Sequence, residues 1–176
     1  MTTANGGDEL FPRIGTGNPQ ADPVLGGGFP ANSINIVMGQ PGTGKTIFAE
    51  QLLFHNASED RPILYVTTLS EPMSKVVSYV QRFSFFDENK LGTEIQYEDL
   101  GALLSSDGPE ALVPRLREAI TTLSPKIIVI DSFRAIHDLS STTPEMRRMI
   151  SDLAGLLSSY DVTAFLLGEY TTADME

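Results

Sequence analysis

Gly39-Gln40-Pro41-Gly42-Thr43-Gly44-Lys45-Thr46 is the stretch that decides the fold of this 176-residue chain. It matches the phosphate-binding pattern G-x-x-x-x-G-K-[ST] at every position. Residues 33–38 before it are apolar at alternate positions, which predicts a strand, and residues 46–57 after it carry apolar side chains at helical spacing. A strand, a glycine-rich loop and a helix in this order are the context in which the pattern binds a nucleoside triphosphate.

The residue types of this loop predict how the phosphates are held. Glycines at positions 39, 42 and 44 are expected to adopt positive φ angles, so that successive backbone amides point at phosphate oxygens. Lys45 is predicted to reach the β- and γ-phosphates, and the Thr46 hydroxyl is predicted to bind Mg²⁺. The predicted nucleotide-binding residues are Gly39, Pro41, Gly42, Thr43, Gly44, Lys45 and Thr46.

Composition and charge narrow the classes of function. The length suits one domain, and a hydrophobic content of 41% is enough for a core. The absence of cysteine excludes a disulfide framework and a cysteine zinc site, and no apolar run approaches the ~20 residues of a membrane span. Twelve basic and 23 acidic residues leave a net charge of −11, which disfavours nucleic acid as a partner because phosphate binding needs a basic face. We therefore expect a cytoplasmic protein without a membrane or nucleic-acid partner.

Strand and helix patterns alternate along the chain. Apolar strand patterns occupy residues 33–38, 63–66, 94–98, 126–131 and 162–167. Helical patterns lie between them, which predicts an α/β fold of three layers, with a mostly parallel sheet and helices on both faces. Residues 1–21 are predicted to be an N-terminal leader and residues 22–176 the nucleotide-binding domain. The turn-rich segment 13–30 is expected to be a surface loop.

Three helix starts can be predicted. Pro72 suits the first turn of a helix. Asp107 and Glu110 have capping-box spacing. Thr143 is predicted to cap a third helix, because Pro144 suits its first turn. The predicted buried face of that third helix consists of Met146, Met149, Ile150, Leu153, Ala154, Leu157 and Tyr160.

Asp131 supplies the second half of the predicted site. It follows four aliphatic residues, 127–130, and so lies at the carboxyl end of a buried strand, where a carboxylate can hold Mg²⁺ through water. Thr46 and Asp131 are the predicted metal ligands. Ser132 and Glu169, at strand ends, are lesser candidates for the γ-phosphate side of the site.

Hydrolysis also needs a base that orients the attacking water, and the candidate is Glu71, which follows the second strand. An equally good interpretation of Glu71 is an acid in the first turn of a helix, where the helix dipole favours it. The predicted catalytic residues are Lys45, Glu71 and Asp131. His55 and His137 have no partner at metal-ligand spacing and are predicted to be structural.

These residues resemble the RecA-superfamily ATPases of the KaiC type, over a range from about Arg13 to about Glu169. The matching segments are Thr16-Gly17 with Asp22, residues 25–30, residues 39–46, Tyr65-Val66-Thr67 and Ile130-Asp131-Ser132. The resemblance implies a RecA-like P-loop domain that binds ATP with Mg²⁺ and hydrolyses it slowly. It also implies hexameric rings with sites between subunits. Domains of this type continue beyond the last strand seen here, so the C-terminal part of the fold is expected to be missing.

One position departs from the KaiC pattern. Two glutamates follow the second strand in that pattern, whereas this chain has Thr68, Leu69 and Ser70 there and an acid only at Glu71. Hydrolysis is therefore expected to be slow or lost. The leading hypothesis is an ATP-driven regulatory or assembly switch with an unidentified protein partner. The alternatives are a pseudo-enzyme that binds ATP only to assemble, a recombinase-like DNA-dependent ATPase and a small-molecule P-loop kinase.

Overall fold

Five parallel strands form the central layer of the computed structural model, which describes residues 12–68, 73–134, 136 and 142–169. The described elements in chain order are β1 (Arg13–Ile14), α1 (Ala21–Val24), β2 (Phe29–Pro30), β3 (Ile34–Gly39), α2 (Lys45–Asn56), β4 (Ile63–Thr67), α3 (Met73–Val80), β5 (Ile95–Asp99), α4 (Gly101–Asp107), α5 (Leu112–Leu123), β6 (Ile127–Asp131), α6 (Thr143–Ser158) and β7 (Thr163–Glu169). Short 3₁₀ turns cover Glu88–Lys90 and Pro109–Ala111.

The strand order across the sheet is β3-β7-β6-β4-β5, with every neighbouring pair parallel. The register places Thr67 beside Asp131, and Gly39 beside Glu169. The carboxyl ends of β3, β4, β6 and β7 therefore meet along one edge of the sheet. This is the edge at which ligands bind in open α/β sheets.

The two faces of the sheet bury separate hydrophobic cores. On one face, Leu52 and Leu53 of α2 pack with Tyr65 and Phe165 of the sheet. On the other face, helices α4, α5 and α6 pack on the alternate strand residues, such as Leu64 and Ile128. Each large apolar side chain that is fully buried in this way stabilises the fold by about 1.5–3 kcal/mol. The predicted three-layer α/β fold is confirmed.

Strand β3 lies at the edge of the sheet and is covered on one face only. Ile34, Ile36 and Met38 are 39%, 63% and 50% exposed. Val37 faces the opposite side and packs against the core beneath α2. The apolar alternation in β3 thus predicts a strand correctly, although the more apolar face is the exposed one.

The segment 13–30 packs against α2, whereas the sequence predicts a surface loop. Ile14 is 6% exposed and Thr16 is fully buried. The Thr16 backbone amide and hydroxyl both donate to Asp22 Oδ1, each at 2.7 Å. Asn56 of α2 donates to the Gly15 carbonyl at 2.7 Å. Hydrogen bonds from α2 therefore hold this segment against the helix that follows the phosphate-binding loop.

Gly28 explains why glycine is needed in that segment. Its φ angle is +110°, and a Cβ atom there would lie 2.2 Å from the Ile14 carbonyl oxygen. The close approach joins β2 to β1 as a short antiparallel pair. A side chain at position 28 would therefore both strain the backbone and separate this pair.

The predicted capping box is wrong, because Asp107 is the last residue of α4, a helix that the sequence analysis missed. The Asp107 side chain accepts a hydrogen bond from Ser106 and caps no helix start. Gly108, with a φ angle of +85°, ends α4 before the turn that leads into α5. Glycine favours such an end because it has no Cβ atom to clash at positive φ.

The start of α6 is displaced by one residue from the prediction. Thr142, rather than Thr143, is the N-cap, and its hydroxyl oxygen accepts a hydrogen bond from the Glu145 backbone amide at 3.3 Å. The predicted buried face is confirmed at Met146, Met149, Leu153 and Leu157. Two other predicted members, Ile150 and Tyr160, are 42% and 37% exposed, so the prediction is wrong for both. Leu156 is buried in their place.

None of the helices in the described ranges combines the length and the hydropathy that crossing a bilayer requires.

Candidate nucleotide-binding site

The glycine-rich loop leaves the end of β3 and enters α2 at Lys45. Gly42 and Gly44 have φ angles of +77° and +90°, as expected for a loop that wraps around an anion. Gly39 does not share this conformation, so the expectation of positive φ is wrong there. A Cβ atom at Gly39 would lie 2.8 Å from Thr43 Oγ1, so a side chain at position 39 would require the Thr43 hydroxyl to move.

Lys45 lies across the loop. Its Nζ donates to the carbonyl oxygens of Gly39 and Gln40, both at 3.0 Å, and lies 3.8 Å from Glu169 Oε1. The side chain is only 8% exposed. The ammonium group is therefore held at the mouth of the loop, where it adds to the positive end of the α2 dipole.

Thr46 and Asp131 meet at the base of the loop. Thr46 Oγ1 donates to Asp131 Oδ2 at 2.7 Å, although the two residues are 85 positions apart in the chain. Tyr65 of β4 donates its hydroxyl to the same oxygen at 2.8 Å. Helix α2, strand β4 and the end of β6 thus converge on one carboxylate oxygen.

Burial changes the acidity of the groups around this carboxylate. It raises the pKa of Asp131, while the hydrogen bonds from Thr46 and Tyr65 act in the opposite direction. Burial also raises the pKa of Tyr65, and the negative charge of Asp131 adds to that rise. The Tyr65 hydroxyl therefore keeps its proton and acts as a donor.

A second buried acid, Glu50, lies one helical turn after Thr46 on α2. It is fully buried, and Tyr97 of β5 donates to its Oε2 at 2.8 Å. Its Oε1 has no hydrogen-bond partner within the described part of the chain. Burial raises the pKa of Glu50 to about 8; the Tyr97 hydrogen bond opposes this rise, and the charge of Asp131 adds to it. At neutral pH the carboxyl group is therefore mostly protonated.

A cleft of about 780 Å³ opens from the loop along the ends of the strands. The loop, the strand ends and α3 each form part of its wall. Residues of α3 and of the turn after it, including Lys75, Tyr79 and Arg82, face the loop across this cleft. The cleft is large enough for a nucleotide, since ligand pockets usually have ~300–1,000 Å³.

The lesser candidates lie at the rim of this cleft. Ser132 and Glu169 both line it. The Thr68 hydroxyl donates to the Ser132 carbonyl oxygen at 2.8 Å and accepts a hydrogen bond from the Ser132 backbone amide at 3.0 Å. Thr68 directly precedes Leu69 and Ser70, the positions that carry the two glutamates in the KaiC pattern, and its side chain joins the ends of β4 and β6.

The remaining predicted residues lie elsewhere. Glu71 and His137 fall outside the described residues. His55 lies on α2 against Gly15 and Gly17 of the segment 13–30, where an added Cβ at Gly17 would come within 2.8 Å of its side chain. Sequence reasoning missed Glu50, although a charged residue among the apolar side chains of α2 was a usable signal.

The donor atoms fit a magnesium ion that is bound jointly with phosphate. Thr46 and Asp131 present hard oxygen atoms, which Mg²⁺ prefers. Within the described ranges, no group of three or more histidine, cysteine, aspartate or glutamate side chains could hold a metal ion alone. An ion at this position would therefore need further oxygens from a nucleotide and from water.

Comparison with known proteins agrees with this geometry. Residues 14–175 match the family described as "ATPase: KaiC". A UPF0273 protein of Methanopyrus kandleri is 28% identical over 172 residues, which cover 89% of this chain and 67% of that protein. A circadian clock oscillator protein KaiC of Picosynechococcus is 31% identical over 157 residues, covering 84% of this chain but 30% of that protein.

Solved structures include one with the same fold. The crystal structure of a KaiC-like protein from Pyrococcus horikoshii superimposes with a TM-score of 0.75 at 25% identity, over 91% of this chain and 71% of the other. The fold match includes the RecA-like arrangement that the sequence analysis predicted. The family match spans nearly all of the described residues, and the chain belongs to the KaiC family of ATPase domains.

Proposed function

We propose that this chain binds ATP with Mg²⁺ at residues 39–46 and hydrolyses it slowly. The observation that carries the proposal is the 2.7 Å hydrogen bond between Thr46 Oγ1 and Asp131 Oδ2. It joins the last residue of the loop to an acid at the end of β6, which is separated from β3 by β7 alone. A phosphate-binding loop and an acid in this relation are the parts that hold a metal-bound triphosphate.

Each residue has a proposed part in the reaction. Backbone amides of the loop and the start of α2 bind the phosphate oxygens. Lys45 exchanges its loop carbonyl partners for the β- and γ-phosphates. Thr46 and Asp131 hold Mg²⁺, which supplies positive charge against the charge that develops on the phosphates.

The test is turnover of ATP by the purified chain with and without Mg²⁺, and with the variant Asp131→Asn. We expect turnover that requires Mg²⁺, and at least a tenfold weaker response to Mg²⁺ in the variant, because the amide loses the negative charge that attracts the ion. The Asp22→Asn variant supplies the same substitution in the segment 13–30, outside the cleft. Equal magnesium dependence in Asp131→Asn and the unsubstituted chain would contradict the proposed role.

Glu71 is the proposed base. It follows β4, whose last residue Thr67 is paired in register with Asp131. The Glu71→Gln variant is expected to lose about 10²–10⁴-fold in turnover without losing ATP affinity, since a general base contributes by that amount. Glu88→Gln, at the exposed first turn of the 3₁₀ helix, is the matched control. Unchanged turnover in Glu71→Gln would leave Glu71 as an acid that only stabilises a helix start.

We propose a regulatory or assembly switch as the role of this activity, with a homo-oligomer as the assembled form. Sedimentation of the same samples with and without ATP tests that role. A pseudo-enzyme is the second candidate function, and the observation that favours it is that Leu69 and Ser70 stand where the KaiC pattern has two glutamates. Magnesium-dependent ATP binding without any turnover would support that second candidate.

A further inference from the structure

The Tyr65 hydroxyl is a polar group in the hydrophobic interior of the sheet. Tyr65 lies in the middle of β4, all of whose residues are buried, and is itself fully buried. An aliphatic or phenylalanine side chain would satisfy that position without a hydroxyl to desolvate. The Tyr65 hydroxyl instead donates to Asp131 Oδ2 at 2.8 Å.

The two donors to that oxygen belong to elements of different character. Thr46 follows the glycine-rich loop, which must admit and release the phosphates. Tyr65 is fixed in β4, an interior strand of the sheet, and its ring packs against Tyr97 with the centroids 5.2 Å apart. The direction of the Asp131 carboxylate is therefore held from the rigid side of the site, independently of the loop.

We infer that Tyr65 is a positioning residue that fixes the Asp131 carboxylate in the direction required for metal-assisted nucleotide binding. This inference rests on the proposed function, because it concerns the same site. Tyr65 acts through Asp131 and has no direct part in binding phosphate. A charge-assisted hydrogen bond of this kind is stronger and more directional than one between neutral groups.

Tyr97 offers a matched comparison. It is the neighbour of Tyr65 in the register of β4 and β5, and its hydroxyl also donates to the carboxyl group of a buried acidic side chain. That carboxyl group belongs to Glu50 and not to Asp131. Replacing either tyrosine by phenylalanine removes one hydroxyl group from the same hydrophobic core. Of these two hydroxyls, the one on Tyr65 contacts the predicted metal ligand.

The experiment measures ATP affinity of the full chain with Mg²⁺ and with EDTA for the unsubstituted protein, Tyr65→Phe and Tyr97→Phe. Tyr65→Phe is expected to lose about tenfold in affinity with Mg²⁺ and nothing in EDTA, which corresponds to one hydrogen bond to a charged group. Tyr97→Phe is expected to keep the magnesium enhancement, which is the ratio of the ATP affinity with Mg²⁺ to that with EDTA. When Asp131 is already replaced by asparagine, Tyr65→Phe should not lower the ATP affinity with Mg²⁺ any further. The effects of two substitutions do not add when one residue acts through the other.

Each outcome decides the inference. The same magnesium enhancement in Tyr65→Phe and the unsubstituted chain would overturn it, and so would an equal loss in Tyr97→Phe. If Tyr65→Phe lowers the folded fraction, the increment in melting temperature between Mg-ATP and ATP with EDTA gives the same comparison on the folded molecules. Absence of ATP binding by the unsubstituted chain would instead overturn the proposed function, and this role with it.

Discussion

Replacement of Lys45 by alanine is expected to weaken ATP binding by about 10- to 150-fold, which corresponds to the ~1.5–3 kcal/mol of a hydrogen bond to a charged group. The ammonium group already lies at the mouth of the loop, with a side chain only 8% exposed. A phosphate would replace two neutral carbonyl partners, and the charge of the lysine would then meet an opposite charge. Titration calorimetry with ATP measures the change.

Lys90 is the control for this variant, since it also donates to two backbone carbonyls, those of Phe54 and Ala57, at 3.0 and 2.8 Å. Those carbonyls belong to the far end of α2. Lys90→Ala therefore removes a similar set of protein contacts without touching the loop. ATP affinity in Lys45→Ala equal to that in Lys90→Ala would contradict the assignment of the phosphate-binding loop.

The second large effect concerns stability and pH. In the folded chain the pKa of Glu50 is raised from 4.5 to about 8, first by burial. Between these two values the folded chain holds a proton that the unfolded chain has released, so the free energy of unfolding must fall as pH rises through this window. The difference in pKa corresponds to about 5 kcal/mol. Tyr97, Asp131 and Tyr65 are the titratable groups that interact with this carboxyl group.

Glu50→Gln is therefore expected to flatten the decline of stability between about pH 5 and pH 8, and to be the more stable form above pH 8. The glutamine amide keeps an oxygen that can accept the hydrogen bond from the Tyr97 hydroxyl, and it stays uncharged at every pH. Urea denaturation at a series of pH values measures the slope. Glu118→Gln, in the exposed part of α5, supplies the same chemical substitution at the surface for comparison. A variant that keeps the original slope would show that the folded protein tolerates an ionised Glu50.

Much of the site could be predicted because its parts are local in sequence. The loop pattern is a run of adjacent residues, and its conformation at Gly42 and Gly44 follows from the need for positive φ. Asp131 could be found because an unbroken apolar run marks a buried strand and its end. Parallel strands place their carboxyl ends together, so loop and acid were expected to meet.

Other features depend on contacts that no local pattern contains. Asp107 has the spacing of a capping box, but it is the last residue of α4. At Ile150, helical spacing alone does not show how wide a face the neighbouring helices cover. Gly39 is constrained by the Thr43 side chain across the turn and not by its own φ angle. In each case a neighbour decides between conformations or exposures that the local sequence permits equally.

The amino-acid sequence by itself determined the five parallel strands and their alternation with helices, the phosphate-binding loop, the acid at the end of β6 and the resemblance to KaiC-type ATPases. These follow from periodicity and short motifs, which act over a few residues. Only the tertiary structure decided that the more apolar face of β3 is exposed, that Tyr65 and Thr46 share one oxygen of Asp131, and that Glu50 is buried beside Tyr97. The reason is that burial, hydrogen bonding and acidity at one residue depend on which side chains other elements bring to it.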